Sequence, residues 1–183
     1  MPLIYLVQHG DKERVAGDPG LTDVGREQAV LAGRWLRSAG VSSLYSSPLR
    51  RARQTAEGIA SALGLEIVID SRLRERLNWV TGSPADFQAD WNRSERDRDF
   101  VPAGGDSSRL AGARLRAFVM DQSDSPGPVA AVTHGGLTRD LLRTLLGDDD
   151  ERVTRLCGGI PPCAITTLCD LEVLDVAAVR HLA

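Results

Sequence analysis

Three histidines occur in 183 residues, and two of them stand in matched settings. His9 follows the apolar run Leu3-Ile4-Tyr5-Leu6-Val7 within Gln8-His9-Gly10, and His134 follows Val129-Ala130-Ala131-Val132-Thr133 within His134-Gly135-Gly136. Short, uninterrupted and partly β-branched apolar runs predict strands buried on both faces. In an open α/β sheet, ligands bind at the carboxyl ends of strands, so two histidines leaving such ends are expected to face one pocket. An imidazole there supplies a nucleophile or a proton carrier near neutral pH. The glycine after each histidine lets the backbone approach a ligand and expose its N–H. Gly135-Gly136 also leads into a helix, whose N-terminus attracts anions. His181 lies in an alternating segment near the C-terminus and is read as structural.

Between the two histidines lies Ser46-Ser47-Pro48-Leu49-Arg50-Arg51-Ala52-Arg53-Gln54-Thr55-Ala56, which also starts at a predicted strand end. Its arginines fall in the first turns of a helix and diverge at helical spacing, so at most one or two can reach a common site. Of the 22 basic residues only Lys12 is a lysine. That bias fits a G+C-rich genome, yet guanidinium groups that converge on an anion match its oxygens. The formal net charge of −3 gives no basic excess of the kind a nucleic-acid binder shows, so no nucleic-acid partner is expected. Cys157, Cys163 and Cys169 form no CxxC pair and have no histidine at metal spacing. The acidic run Asp148-Asp149-Asp150-Glu151 lacks a glycine bend and a carboxylate ladder, and is read as a solvated turn rather than a cation site.

The elements that must position these residues alternate along the chain. After the first strand, a polar loop runs from Gly10 to Gly20. Thr22 is placed to cap a helix that carries Ala29, Leu31, Ala32, Trp35 and Leu36 and ends near Gly40. Ser43–Ser46 reads as a second strand, and Pro48 as the opening of a helix that runs to about Leu63 before Gly64. Glu66–Ile69 is a third strand. Residues 83–100 alternate charged and polar side chains around Phe87, Trp91 and Phe100, and predict a helical insertion over Pro84–Asp99. Gly104–Ser107 gives a turn and cap before a helix over Ser108–Asp121. A further helix spans about Leu137–Leu146, and Ala164–Cys169 and Leu171–Val179 alternate as an antiparallel edge would. The pattern predicts an α/β three-layer sandwich, with a mainly parallel central sheet and helices on both faces. One domain over 1–183 is expected, with a lid-like insertion at about 78–104. No apolar run approaches the length of a bilayer span, and no basic, apolar leader opens the chain, so no membrane partner and a cytoplasmic location with reduced thiols are expected. Nothing in the sequence marks the oligomeric state.

These residues together resemble the histidine phosphatase superfamily, the phosphoglycerate-mutase-like enzymes. The hallmark strand ending in Arg-His-Gly-Glu is matched by Gln8-His9-Gly10-Asp11, and Leu-Thr-x-x-Gly-x-x-Gln-Ala by Leu21, Thr22, Gly25, Gln28 and Ala29. Ser-Ser-x-Leu-x-Arg-Ala-x-Gln-Thr-Ala is complete in Ser46–Ala56. The late His-Gly-Gly falls on His134-Gly135-Gly136, and Gly-Glu-Ser has its counterpart in Gly105-Asp106-Ser107. The motifs occur in order over nearly the whole chain.

The resemblance implies a metal-independent phosphoric monoester hydrolase that needs no cofactor and takes a small phosphorylated metabolite. It implies His9 as the nucleophile that becomes phosphorylated, and Glu75, in Leu73-Arg74-Glu75-Arg76, as the acid and base. His134, Arg51 and the backbone at Gly10 and Gly135 would hold the phosphoryl oxygens. Gln8, at the phosphate-binding position where an arginine usually stands, departs from the pattern: it can donate hydrogen bonds but carries no charge, and Arg50, the neighbour of Arg51, or Lys12 is the candidate to supply the missing charge. The residues Arg76, Asn78 and Trp79 also replace a commoner glycine-containing continuation after Glu75. The length fits the short phosphatase branch better than the mutases. A mutase-type phosphotransferase and a weakened phospho-ligand-binding protein are the alternatives.

Overall fold

The computed structural model describes residues 2–183. A six-stranded sheet carries the order β3-β2-β4-β1-β5-β6. Its strands are β1 (Leu3–Gln8), β2 (Ser43–Ser46), β3 (Ile67–Ile69), β4 (Val129–Thr133), β5 (Ile165–Cys169) and β6 (Glu172–Ala178). β3, β2, β4 and β1 run parallel, while β5 and β6 add an antiparallel edge. Every residue of β4 and the middle of β1 are buried, as expected of strands covered on both faces.

Helices α1 (Asp23–Ser38) and α2 (Arg50–Leu63) cover one face, where Ala32, Leu36, Ala52, Ala56 and Ile59 pack on Tyr5, Val7, Ala130 and Val132. Helices α4 (Ser108–Asp121) and α5 (Gly135–Leu146) cover the other, where Ala111, Leu115, Phe118, Leu137 and Leu141 pack on Ile4, Leu6, Val129 and Ala131. The alternation along β1 and β4 thus feeds two separate cores, giving the expected three layers. Side-chain caps fix the helix starts: Thr22 accepts from Gly25 N–H and Ser107 from Leu110 N–H.

Several boundaries differ from expectation. α5 begins at Gly135 rather than Leu137, because the His134 carbonyl already accepts Thr138 N–H. α2 begins at Arg50, with Leu49 as a cap residue that offers no side chain; Asp18 instead accepts Arg50 N–H through both carboxylate oxygens. β3 starts at Ile67, and its Val68 and Ile69 are exposed at the sheet edge. The predicted insertion helix, α3, spans Pro84–Arg96 and ends before Asp99. The acidic run is the exposed turn expected, and it is also engaged: Asp148 accepts from Arg143 and Arg98, and Asp150 caps the one-turn α6 (Glu151–Thr154).

Candidate active site

Register brings the two histidines together. β1 and β4 are parallel neighbours, with Gln8 opposite Thr133 and Ser46 of β2 opposite Val132. His9, His134 and Ser47 are therefore the next residues off three adjacent strand ends. The imidazoles of His9 and His134 have ring centroids 5.3 Å apart and an interplanar angle of 59°.

His9 is buried and oriented. Its Nδ1–H donates to the Gly10 carbonyl at 2.8 Å, which leaves Nε2 with its lone pair. The Gln8 amide nitrogen approaches that Nε2 at 3.3 Å, while Gln8 Oε1 is buried without a protein partner. Burial, and then the charge of Arg51, lower the His9 pKa to about 3, so the ring is neutral near pH 7. His134 is sealed beneath it, and burial, Arg51 and His9 push its pKa well below the usual imidazole value. Ser47 Oγ accepts Leu49 N–H at 3.3 Å and lies 2.8 Å from His134 Nε2. With the Ser47 hydroxyl hydrogen donated to Nε2, Nδ1 carries the ring proton, and Nδ1 has no protein partner.

Arg51 comes from the first turn of α2. Its guanidinium is buried, and its Nε and Nη1 have no hydrogen-bond acceptor in the protein. The nearest carboxylate, Asp18, stands 3.8 Å from Nη1 and is half exposed. A buried cation with unfilled donors is costly unless an anion meets it. Glu75 follows the 3-10 turn Ser71–Leu73, which Thr133 Oγ1 fastens to the sheet through the Leu73 carbonyl. Its two carboxylate oxygens accept from Arg76 N–H at 2.9 Å and Gly136 N–H at 3.1 Å. A Cβ at Gly136 would lie 2.7 Å from the Glu75 carboxylate and 2.5 Å from Trp91, so only glycine allows this approach.

The cavity over these groups has a volume of about 270 Å³. Its lining combines His9, Arg51, Glu75 and Lys12 with Leu77, Trp79, Phe87 and Trp91, and Trp91 stands beside Glu75 over Gly136. Among the sequence-predicted residues, His134, Gln8 and Gly10 lie behind this surface, and Gly135 lines a neighbouring recess with Gly136. Gly10 departs from its expected part. Its N–H is taken by Thr55 Oγ1 at 3.0 Å, and a Cβ there would meet the Gly25 carbonyl at 2.5 Å. The glycine permits close packing on α1, and what it offers the site is the carbonyl that orients His9. Of the two cations proposed to replace the usual arginine, Lys12 lines the cavity, whereas Arg50 is exposed outside it.

A buried ionic network escaped sequence reasoning. Arg76 has no exposed side-chain surface; its guanidinium donates to both oxygens of Asp140 at 2.9 and 2.8 Å and pairs with Glu95 of α3. Ser108 Oγ adds a bond to Asp140 at 2.6 Å, Arg139 also pairs with Glu95, and Arg76 lies 4.2 Å over the Trp91 ring. A carboxylate at Asp140, amid the apolar periodicity of Leu137, Leu141 and Leu142, was the available signal, since such a charge needs a buried partner. Among the described residues, no group of three or more His, Cys, Asp or Glu side chains is placed to hold a metal ion, and no helix is long and apolar enough to cross a membrane.

This fold and this pair of strand-end histidines define a class. The profile of the histidine phosphatase superfamily (branch 1) matches residues 4–170, and the chain belongs to that family. It is 34% identical over 163 residues to the probable phosphoglycerate mutase GpmB of Yersinia pestis, covering 79% of this chain and 74% of that one. A mycobacterial glucosyl-3-phosphoglycerate phosphatase, solved in complex with inorganic phosphate, is 28% identical, with a TM-score of 0.81 and full coverage of both chains. A phosphoserine phosphatase of Entamoeba histolytica in complex with 3-phosphoglyceric acid shares the fold at 20% identity, with a TM-score of 0.77 over all of both chains.

Proposed function

We propose that this protein is a phosphatase that hydrolyses a small phosphomonoester through a phosphohistidine on His9. The observation that carries the reading is the neutral His9, its Nδ1–H held by the Gly10 carbonyl, beside a buried Arg51 whose donors lack a protein acceptor. His9 Nε2 attacks phosphorus in line, and the bond from phosphorus to the alcohol oxygen breaks. The Glu75 carboxyl gives its proton to that oxygen as it leaves. Water then attacks the phosphohistidine, Glu75 takes up the water proton, the P–N bond breaks, and inorganic phosphate departs. Arg51 and the His134 Nδ1–H, which has no protein partner, stabilise the phosphoryl oxygens through the transition state, and α5, which opens at Gly135 directly after His134, adds the positive end of its dipole. Residues 78–104 act as a cover within one domain spanning 1–183, because Trp79, Phe87 and Trp91 roof the cavity.

Gln8 favours one further reading. Its amide rests on the nucleophilic nitrogen and brings no charge, as in a protein that binds a phosphorylated ligand with little turnover. Rapid quenching with labelled substrate separates the two. A phosphatase yields an acid-labile, base-stable phosphoryl group, abolished in His9→Ala and formed more slowly in His134→Ala. Undiminished labelling of His9→Ala would exclude His9 as the nucleophile, and phosphate-dependent stabilisation with no turnover would favour the binding protein.

A further inference from the structure

We propose that the alcohol part of the substrate is uncharged and carries an aromatic or similarly flat apolar group, which the aromatic wall of the cavity receives. This rests on the phosphatase reading and adds the class of substrate to it. Three rings form a continuous array there: the Trp79 and Phe87 centroids are 6.3 Å apart and nearly parallel at 29°, and Phe87 lies 6.1 Å from Trp91 at 39°. Leu77 borders them, and Val15 and Pro19 of the Gly10–Gly20 loop also line the cavity. Aromatic side chains gain most from contact with another flat apolar surface, in offset or tilted geometry.

The array is fixed in advance of any ligand. Arg76 lies over Trp91, and Arg76 is itself locked on Asp140 and Glu95. Trp79 Nε1–H donates to the Gly82 carbonyl, so the polar edge of that indole is used internally. The loop is tied to the rings as well: Gly17 N–H donates to the Trp79 carbonyl at 2.7 Å, and the Asn78 amide to the Gly17 carbonyl at 2.8 Å. Surfaces held in place lose little entropy on binding.

Charge is distributed to match. The cations lining the cavity are Arg51 and Lys12, and Lys12 stands three residues after His9 on the loop that leaves β1. Near the rings the polar lining side chains are the neutral amides of Asn78 and Gln88 and, beside Trp91 over Gly136, the Glu75 carboxylate; Gln88 donates to Asn92. A carboxylate on the alcohol would be stripped of water against the rings with no free cation to meet it, since buried Arg76 is already paired with Asp140 and Glu95. Phosphoglycerate and phosphoserine, which carry such a carboxylate, are therefore disfavoured.

Benzyl phosphate and ethyl phosphate both release a primary alcohol of similar acidity and differ in the ring, so their kcat/KM ratio, read as released phosphate, isolates the proposed subsite. The ratio is expected to exceed roughly tenfold, as for the burial of a phenyl group. It should fall at least several-fold in Phe87→Ala and Trp79→Ala, and 3-phosphoglycerate should be slower than benzyl phosphate. A ratio near one, or 3-phosphoglycerate as the best of the three, overturns the proposal. Inhibition and thermal stabilisation by benzylphosphonate and ethylphosphonate provide the second measurement. If the enzyme turns over no ester, yet benzylphosphonate stabilises it more than ethylphosphonate, the phosphatase reading fails and the subsite stands. Equal stabilisation by the two phosphonates sinks the subsite whether or not turnover is seen.

Discussion

Gln8→Arg tests the one position where the chain departs from its family at the nucleophile. The Gln8 amide nitrogen now reaches His9 Nε2 at 3.3 Å, and its carbonyl oxygen is buried unpaired. A guanidinium there would exchange a neutral donor for a charged one aimed at the phosphoryl oxygens. A hydrogen bond from a charged donor contributes about 1.5–3 kcal/mol, against about 1 for a neutral one, so the transition state should gain about 1–2 kcal/mol. At about 1.4 kcal/mol per decade, that is roughly a five- to thirty-fold rise in kcat/KM. Gly135 leaves space on one side, since even a Cβ there would stand 3.5 Å from the Gln8 side chain. The same change places a second cation near Arg51, so the free protein should lose stability, and inorganic phosphate should restore more of it than in wild type. Steady-state kinetics on one monoester and thermal melts with and without phosphate read both effects. Unchanged or lower kcat/KM with native circular dichroism would refute the reasoning, and would mean that Lys12 already meets those oxygens.

Three further outcomes are expected. His9 titrates near 3 when folded but near 6.5 when unfolded, so the unfolded chain takes the proton first as pH falls; stability is highest above about pH 6.5 and drops by about 2 kcal/mol by about pH 5 from this group alone. Urea midpoints should show a shallower pH dependence in His9→Ala, and saturating phosphate, which favours imidazolium, should flatten the wild-type slope; equal slopes in all three would argue against a buried neutral His9. Glu75→Gln should lower kcat/KM for benzyl phosphate by about 10²–10⁴ and cost less for phenyl phosphate, whose leaving group needs less protonation; equal losses would remove Glu75 as the acid. Asp140→Ala deprives buried Arg76 of two hydrogen bonds and should destabilise the fold by about 3–5 kcal/mol in denaturant melts, whereas a loss under about 1 kcal/mol would mean that water replaces the carboxylate.

The frame of the sheet was readable because its signals are local. Buried parallel strands are continuous apolar runs, and the caps at Thr22 and Ser107 act within their own first turns. Where expectation failed, the deciding partner came from elsewhere. Asp18 meets the first N–H of α2 from a loop 32 residues away, so nothing near Pro48 could show that the helix starts at Arg50. Glycine's poor helix propensity hid the true start of α5, since the apolar periodicity begins only at Leu137. The ion pairs of the exposed Asp148 had no local signal either, because Arg98 and Arg143 reach it from two separate segments.

The site divides along the same line. His9 and His134 were legible without any relative, because a residue that leaves a buried parallel strand must emerge at the ligand-binding edge. Glu75 was reached through resemblance alone: its aim depends on Gly136 N–H and on Arg76, whose own partners lie on α3 and α5. Gly10 is the instructive case. Its neighbour His9 suggested a backbone kept bare for a ligand, yet the space beside Gly10 is filled by Gly25, where a Cβ would in turn stand 2.1 Å from the Asp11 carbonyl. Two glycines thus let the loop after β1 press onto the first turn of α1. That contact, with Thr55 holding Gly10 N–H, turns the Gly10 carbonyl onto His9 Nδ1 and keeps Nε2 unprotonated. Packing between two backbone segments therefore sets the tautomer of the proposed nucleophile, and Gly25, which touches no ligand, belongs to its chemistry.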